Sequence, residues 1–285
     1  MSLRDRIGID LGRKMALEEG IAWAGSNDVH YVDAQIDIAP NALESFDDAR
    51  CLTVRKACDD NAMHLGLHTL SAVNTAEVSP FLRDAVDQYL RAYMDLAVRL
   101  NAEWIVVHAG YHFTSDKSLR MQASLDRIKR AADYAEKVGA KLLLENLNWE
   151  PDHAEVHYLA HDVEECRYFF DAIDSSSLAW SFTVNHATLV REGIDGFIDA
   201  MPMNRCEEVR LADNNGEYEL HMFPGDGIID FGNMFQRLEG GGFTGHYTNA
   251  FGSLEDCLRG RDVLVEMAEA AGIPGDADRP TDRTG

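Results

Sequence analysis

A closed (β/α)8 TIM barrel is what the sequence predicts, on three observations. Short β-rich apolar runs recur along the chain, each is followed by a longer stretch of helical periodicity, and eight such runs fit within 285 residues, a length that α/β barrels fill as one unit. In order, the strands are read at 7–10, 30–38, 64–70, 104–109, 141–146, 178–184, 208–212 and 245–251. Between them, 81–100 carries Leu82, Ala85, Val86, Tyr89, Tyr93, Leu96, Ala97 and Leu100 as one apolar stripe, the mark of a helix with one buried face. The stretch 118–138 ends at Gly139 and 254–271 closes on Gly272, as helices with a glycine C-cap do. No GxGxxG follows the first strand, which argues against a dinucleotide-binding sheet. One domain is expected over 1–273, with a disordered tail over 274–285 (PGDADRPTDRTG), which lacks periodicity.

Composition narrows the function. The 49 acidic residues outnumber the 26 basic ones, only six of which are lysine, for a net charge of −23. Such a surface repels nucleic acid and predicts no nucleic-acid partner. Acid-rich, lysine-poor balance is also what a protein working in strong salt shows, where repulsion between carboxylates is screened over a few ångström. No apolar run reaches the roughly 18 residues of a membrane span, and MSLRDRIGID has no secretion h-region, so a cytoplasmic protein without a membrane partner is expected. Cys51, Cys58, Cys166, Cys206 and Cys257 form no CxxC pair and are odd in number, which predicts reduced, mostly buried thiols.

The C-terminal strand ends of a barrel converge on one mouth. Here they carry Asp10, Asp37, His68, His108, Glu145, Thr183 with His186, Arg210 with Asp213, and Asn249. A barrel serving only as a scaffold has no reason to be polar at nearly every strand end. Glu145 ends the apolar run KLLLE, where a carboxylate is costly without a metal, a cation or several donors beside it.

The segments GLHTL, IVVHAG, LLLENL, NHATL and VRLADNNGEYELHMFPGDGIIDF, in this order and spacing, resemble the signature segments of the xylose isomerase-like TIM barrels, a superfamily that includes sugar phosphate isomerase/epimerases and endonuclease IV. The resemblance runs to about residue 272. It implies a divalent metal bound by a Glu on the fifth strand, an Asp three residues before a His on the sixth, a His on the seventh and a Glu on the eighth. Glu145 fits the first position and His186 the sixth-strand histidine. Thr183 stands for the aspartate, Arg210 for the seventh-strand histidine, and Ala250 or Asn249 for the last glutamate.

Two expectations follow. In one, Arg210 takes the place of the metal and pairs with Glu145, since a guanidinium fork matches a carboxylate. In the other, the ligand sets of multi-metal relatives persist, His68, His108 and Glu145 forming one and His186, Glu219 and His221 the other, with Zn2+ or Mn2+ as the ion. The cofactor is therefore either absent or a divalent metal.

Catalytic roles are expected of Glu145, His186, Arg210 and His108, and substrate contacts of His68, Trp149, Asn146 and His221. His153, His157 and His161 recur every four residues, which would align them on a helical face, although a solvated loop over the mouth explains them more simply. Asp226 and Asp230 read as turn and cap residues.

The resemblance implies a sugar or polyol isomerase, epimerase or related lyase moving a proton next to a carbonyl, with a small sugar-like substrate and with or without a metal. A barrel that has lost its metal site and only binds carbohydrate or sugar phosphate is the alternative. A phosphodiesterase of the endonuclease IV type ranks below both, since its bridging ligands are missing. A homo-oligomer is compatible with the sequence.

Overall fold

The computed structural model describes residues 1–13 and 15–275. In chain order its strands are β1 (Ile7–Gly12), β2 (Tyr31–Ala34), β3 (His64–His68), β4 (Trp104–Val107), β5 (Tyr111–Phe113), β6 (Leu142–Glu145), β7 (Val156–Tyr158), β8 (Leu178–Thr183), β9 (Cys206–Leu211) and β10 (His246–Asn249). Eight of them close a barrel in the order β1-β10-β9-β8-β6-β4-β3-β2, all neighbours parallel. The predicted (β/α)8 barrel is therefore the fold, and each of the eight predicted strands lies on an observed one.

The helices are α1 (Leu3–Arg6), α2 (Leu17–Ser26), α3 (Asp48–Asn61), α4 (Arg83–Leu100), α5 (Lys117–Val138), α6 (Val163–Phe170), α7 (Val184–Ala187), α8 (Gly193–Ala200), α9 (Phe231–Gly240) and α10 (Leu254–Ala270). Of the expected stripe on α4, Val86, Tyr93, Leu96, Ala97 and Leu100 are buried, joined by Leu90 and Met94, while Tyr89 is half-buried and Ala85 exposed. The helix starts later than predicted, leaving Phe81 and Leu82 exposed ahead of it. Gly139 caps α5 with a left-handed φ of 81°, a conformation open to glycine at no steric cost. Gly275, assigned to the tail, accepts from the Arg4 amide at 3.1 Å; the rest of that predicted tail, from 276 on, lies outside the described residues.

Strand alternation sorts the barrel into two layers of side chains. Ile7, Ile9, Val32, Leu65, Leu67, Ile105, Val107, Leu142, Leu144, Trp180, Phe182, Val209, Leu211 and Tyr247 join the core between sheet and helices. The opposite parity faces the lumen. At its floor Trp104, Val106, Leu143 and Ala179 form a separate apolar cluster with Tyr31, whose ring stacks between His64 at 4.4 Å and His246 at 4.8 Å. A Cβ on Gly66 would stand 2.0 Å from the Trp104 indole, so the bare glycine is what lets that ring fill the floor.

The expected alternation contained no antiparallel ribbon. β5 and β7 form an antiparallel ribbon pairing Tyr111 with Tyr158, His112 with His157 and Phe113 with Val156. His157 is thus a strand residue, while His153 lies in a turn and His161 in the irregular stretch ahead of α6, and the three share no helical face.

Candidate active site

Asp10, Asp33, His68, His108, Glu145, Thr183, Glu208 and Arg210 all have the inward parity of their strands, so alternation alone brings them into the upper lumen. Three carry the first cluster. Nε2 of His68 lies 3.1 Å from Nε2 of His108, which lies 3.0 Å from Oε2 of Glu145; His68 Nε2 is 3.6 Å from the same oxygen. All three side chains are largely buried.

The tautomer of His108 follows from its other nitrogen. The Thr69 hydroxyl donates its one proton to the Val106 carbonyl at 2.9 Å, so at 3.2 Å it accepts from His108 Nδ1–H. Burial holds the His108 ring below its ordinary pKa against the pull of Glu145, which keeps the ring neutral. Its Nε2 lone pair then faces a carboxylate oxygen at 3.0 Å, an arrangement that calls for a cation between them.

Burial and Arg210 both work against charge on His68, yet Asp33 and Glu145 outweigh them and raise its pKa to about 10. Burial alone would raise the pKa of Glu145, but the pair of histidines beside it, which share a proton, holds it well below the usual carboxylate value. Without an ion, a proton on His68 therefore fills the place a metal would take.

The second cluster is built alike. His186 Nδ1 is fixed on the Asn146 carbonyl at 2.9 Å and His221 Nδ1 on the Ala250 carbonyl, leaving both Nε2 atoms toward Glu219 Oε1, at 3.7 and 2.6 Å. Hydrogen bonds from His186 and His221 hold Glu219 below its ordinary pKa, while His221 is raised, Glu219 outweighing burial.

In each set the ligand atoms lie within 4.8 Å of one another. Two imidazoles and a carboxylate, with Nδ1 anchored on a protein acceptor in three of the four histidines, is a donor set that suits Zn2+ or Mn2+. The edges of the first triangle are close to the roughly 3.3 Å that separates two ligands of a tetrahedral ion at about 2.0–2.1 Å. The residues present therefore fit a divalent metal.

The expected Glu145–Arg210 pair is corrected by the structure. Arg210 reaches Asp33 Oδ2 at 2.5 Å, Glu208 Oε1 at 3.0 Å and Asp10 Oδ2 at 3.1 Å. The cause lies in the register. Asp10 and Asp33 are paired on adjacent strands with the same parity, and Glu208 precedes Arg210 by two on β9, so three inward carboxylates compete for the one guanidinium. Glu145 takes a hydroxyl instead, Thr183 Oγ1 donating to its Oε1 at 2.5 Å. The cage also cancels Arg210 as the replacement cation at Glu145.

Other assignments resolve as follows. Asn146 is fully buried, and its side chain both accepts from Thr183 N and donates to Thr183 O, so it extends the β6–β8 pairing and is no substrate contact. Asn249 faces α10, donating to the Cys257 carbonyl. Asp37 is tied by Tyr89 and Tyr93, and Asp213 by the amides of Asn214, Gly225, Gly227 and Ile229, so both brace loops. Asp230 caps α9, as read from the sequence. Trp149 lines a 990 Å³ cleft with Lys117, His161 and Tyr168, which shares no lining residue with the 480 Å³ cavity bordered by Asp10, Gln35, Leu70, His221 and Phe251.

Three residues escaped sequence reasoning. Asp33, Glu208 and Tyr158 form part of this region, Tyr158 having its phenol pKa raised by burial and then by Glu150 and Glu219. The signal for Asp33 and Glu208 was available: a charge at an inward position of a barrel strand, one residue before its end for Asp33 and three for Glu208.

A family model described as xylose isomerase-like TIM barrel matches residues 21–255. An uncharacterized protein of Methanocaldococcus jannaschii is 24% identical over 204 residues, 70% of this chain and 68% of that one. Among solved structures, a D-tagatose 3-epimerase-like protein superposes with a TM-score of 0.81 at 19% identity, covering 94% of this chain and 98% of that one. D-psicose 3-epimerase from Clostridium cellulolyticum H10 does so at 0.77 and 15% identity, covering 93% and 99%.

Proposed function

Because the chain belongs to the xylose isomerase-like TIM barrel family, we propose that it is a sugar or polyol isomerase or epimerase that moves a proton next to a carbonyl, with a divalent metal held by His68, His108 and Glu145. The observation that carries this reading is the neutral His108 lone pair set 3.0 Å from the Glu145 carboxylate, in a barrel with a cavity lined by Asp10 and His221 among others. When bound, the ion supplies a Lewis acid for the oxygen of the substrate carbonyl. Everything else is work for the chain. Asp10, raised by burial and then by Asp33, and His221, held between Glu219 and the Ala250 carbonyl, both line the 480 Å³ cavity and take the acid/base roles. That volume suits a single sugar. The epimerase named in each of two solved structures of the same fold supports a ketose as the first substrate class to try.

The test is wash-in of deuterium from D2O into ketoses by protein loaded with Mn2+ or Zn2+. Exchange at a carbon beside the carbonyl, abolished by chelator and by His108→Ala, is the expected result. Binding of sugar with no exchange under any metal would instead favour a barrel that only binds carbohydrate. That second reading draws on one observation, the Thr183 hydroxyl and the caged Arg210 at positions where relatives would carry ligands. A cytoplasmic setting belongs to the same proposal, supported by thiols without disulfide partners at Cys51, Cys58, Cys166 and Cys206. No helix among the described residues is long and apolar enough to cross a membrane.

A further inference from the structure

Asp33 has no role in any expectation drawn from the sequence, yet it is fully buried in the lumen at the midpoint of a connected set of polar groups. The set begins at Glu208, which accepts from the Ser181 hydroxyl at 2.6 Å and the Thr248 hydroxyl at 2.8 Å. Glu208 holds Arg210 at 3.0 Å, and Arg210 grips Asp33 Oδ2 at 2.5 Å. The same Asp33 oxygen lies 3.6 Å from Nδ1 of His68, a buried nitrogen without a hydrogen-bond partner among the described residues. The other nitrogen of that ring is the one turned to His108 and Glu145.

The other three histidines of the two clusters each have Nδ1 tied to a hydroxyl or a backbone carbonyl. His68 alone faces a carboxylate there, and that carboxylate is clamped by a guanidinium fixed from the far side of the barrel. A histidine ligand whose Nδ1–H meets a fixed carboxylate is held in one tautomer and one ring orientation, with a more basic Nε2.

We propose that Asp33, clamped by Arg210, is a positioning residue that sets the ring of His68 for the metal at His68, His108 and Glu145. The inference rests on the metal reading above. It also gives the arginine at the seventh-strand position a purpose. In place of donating a ligand, that strand reaches across the lumen and fixes the support of a ligand on β3. The clamp is specific to a fork, since Arg210 binds Asp33 and Asp10 through different nitrogens, Nη1 and Nη2, and a lysine could not reach both in that geometry.

The test compares wild type, Asp33→Asn, Arg210→Lys and, as a control on the second cluster, Glu219→Gln. Circular dichroism first establishes that each is folded. Zn2+ affinity is then measured by competition with a chelating indicator, together with the visible spectrum of the Co2+ form. In parallel, the 15N-histidine spectrum of the metal-free protein reports the Nδ1–H of His68, assigned with His68→Gln.

The expected result is a loss of about 10- to 100-fold in affinity at one site for Asp33→Asn, the range typical of outer-shell partners. The Co2+ bands should change, the His68 Nδ1–H resonance should be lost, and the loss in Arg210→Lys should be smaller. Glu219→Gln should leave the His68 resonance in place. Unchanged affinity, Co2+ bands and His68 resonance in Asp33→Asn would overturn the proposal. A wild type that binds no metal while Asp33→Asn still abolishes the His68 resonance would overturn the metal reading and uphold the positioning of His68 by Asp33.

Discussion

Thr183 donates its hydroxyl to Glu145 across 2.5 Å, at the sixth-strand position where the family resemblance implies an aspartate. A donor there changes what the lumen can hold, because the carboxylate oxygen that it occupies is no longer free on that side. It also adds a donor to the two histidines that let Glu145 be buried as an anion. Thr183→Val keeps the shape and removes the donor, so the buried oxygen loses a hydrogen bond to a charged group. We expect urea unfolding at pH 7 to show a loss of about 1.5–3 kcal/mol, and a wild-type midpoint would contradict this role.

Arg210 balances three buried carboxylates, and burial opposes its charge less than Asp33, Glu208 and Asp10 favour it. In Arg210→Met these acids lose their shared cation, which should cost about 3–5 kcal/mol at pH 7. The sign of the pH dependence should also change. In the wild type the depressed pKa values of Asp33 and Glu208 contribute stability that is present at neutral pH and lost on acidification. Without Arg210 the carboxyls bind protons more tightly folded than unfolded, so the variant should gain stability as pH falls through the carboxylate range. Melting temperatures at pH 4.5 and 7.5 check this, and parallel profiles for the two proteins would refute it.

The barrel was legible because its signals are local and repeated. The run LLLE at 142–145 reads as a strand wherever it occurs, and Gly139 closes a helix by its own backbone freedom. Strand ends converging on one mouth brought out His68, His108, Glu145 and His186, but their grouping into two ligand sets, with Glu219 and His221, came from the resemblance to multi-metal relatives. The partner of Glu145 was not legible. Choosing among Arg210, Thr183 and two histidines requires the relative heights of side chains from strands up to 200 residues apart, as for Arg210 and Asp10. The β5–β7 ribbon was missed for a different reason. Three-residue strands such as YHF and VHY carry no periodicity to detect, and their pairing joins positions 47 residues apart, 111 with 158.

Metal should stabilise the fold. An ion that binds only the folded chain adds about 2.7 kcal/mol at a free concentration 100 times its dissociation constant. Thermal melts with increasing Zn2+ or Mn2+ should shift upward, and the shift should shrink in His108→Ala more than in His221→Ala if the first cluster binds more tightly. A melting temperature indifferent to every divalent ion tried would remove the metal from the proposed chemistry.

Glu165 offers a pH test away from the mouth. Burial would raise its pKa, but His161 and Lys117 lower it to about 2, against an ordinary value of 4.5. The group thus contributes stability that is complete above about pH 4.5 and is lost as pH falls toward 2. Lys117 is half exposed, so screening reduces the contribution to about 2 kcal/mol. Glu165→Gln should be less stable by that amount at pH 7, and its unfolding free energy should fall less steeply than wild type between pH 4.5 and 2. Equal slopes in that window would assign the acid sensitivity to other carboxylates.

The charge of −23 bears on the whole molecule. At 0.1 M salt the screening length is about 10 Å, enough for neighbouring surface carboxylates to repel; at 1 M it is about 3 Å and the repulsion is nearly gone. Salt also weakens exposed ion pairs such as Lys56–Asp60 and Arg167–Asp171, but each contributes well under about 1 kcal/mol. The repulsive term extends over 49 acidic residues against 26 basic ones and should dominate. Melting temperature is therefore expected to climb from 0.01 to about 1 M, alike in KCl and NaCl, and then to level off, since screening saturates once the Debye length falls below the spacing of the charges. A further rise beyond that point, larger in sulfate than in chloride, would indicate salt exclusion from apolar surface in place of screening. A flat profile throughout would mean that the acidic surface is folded into local ion pairs and carries no adaptation to salt.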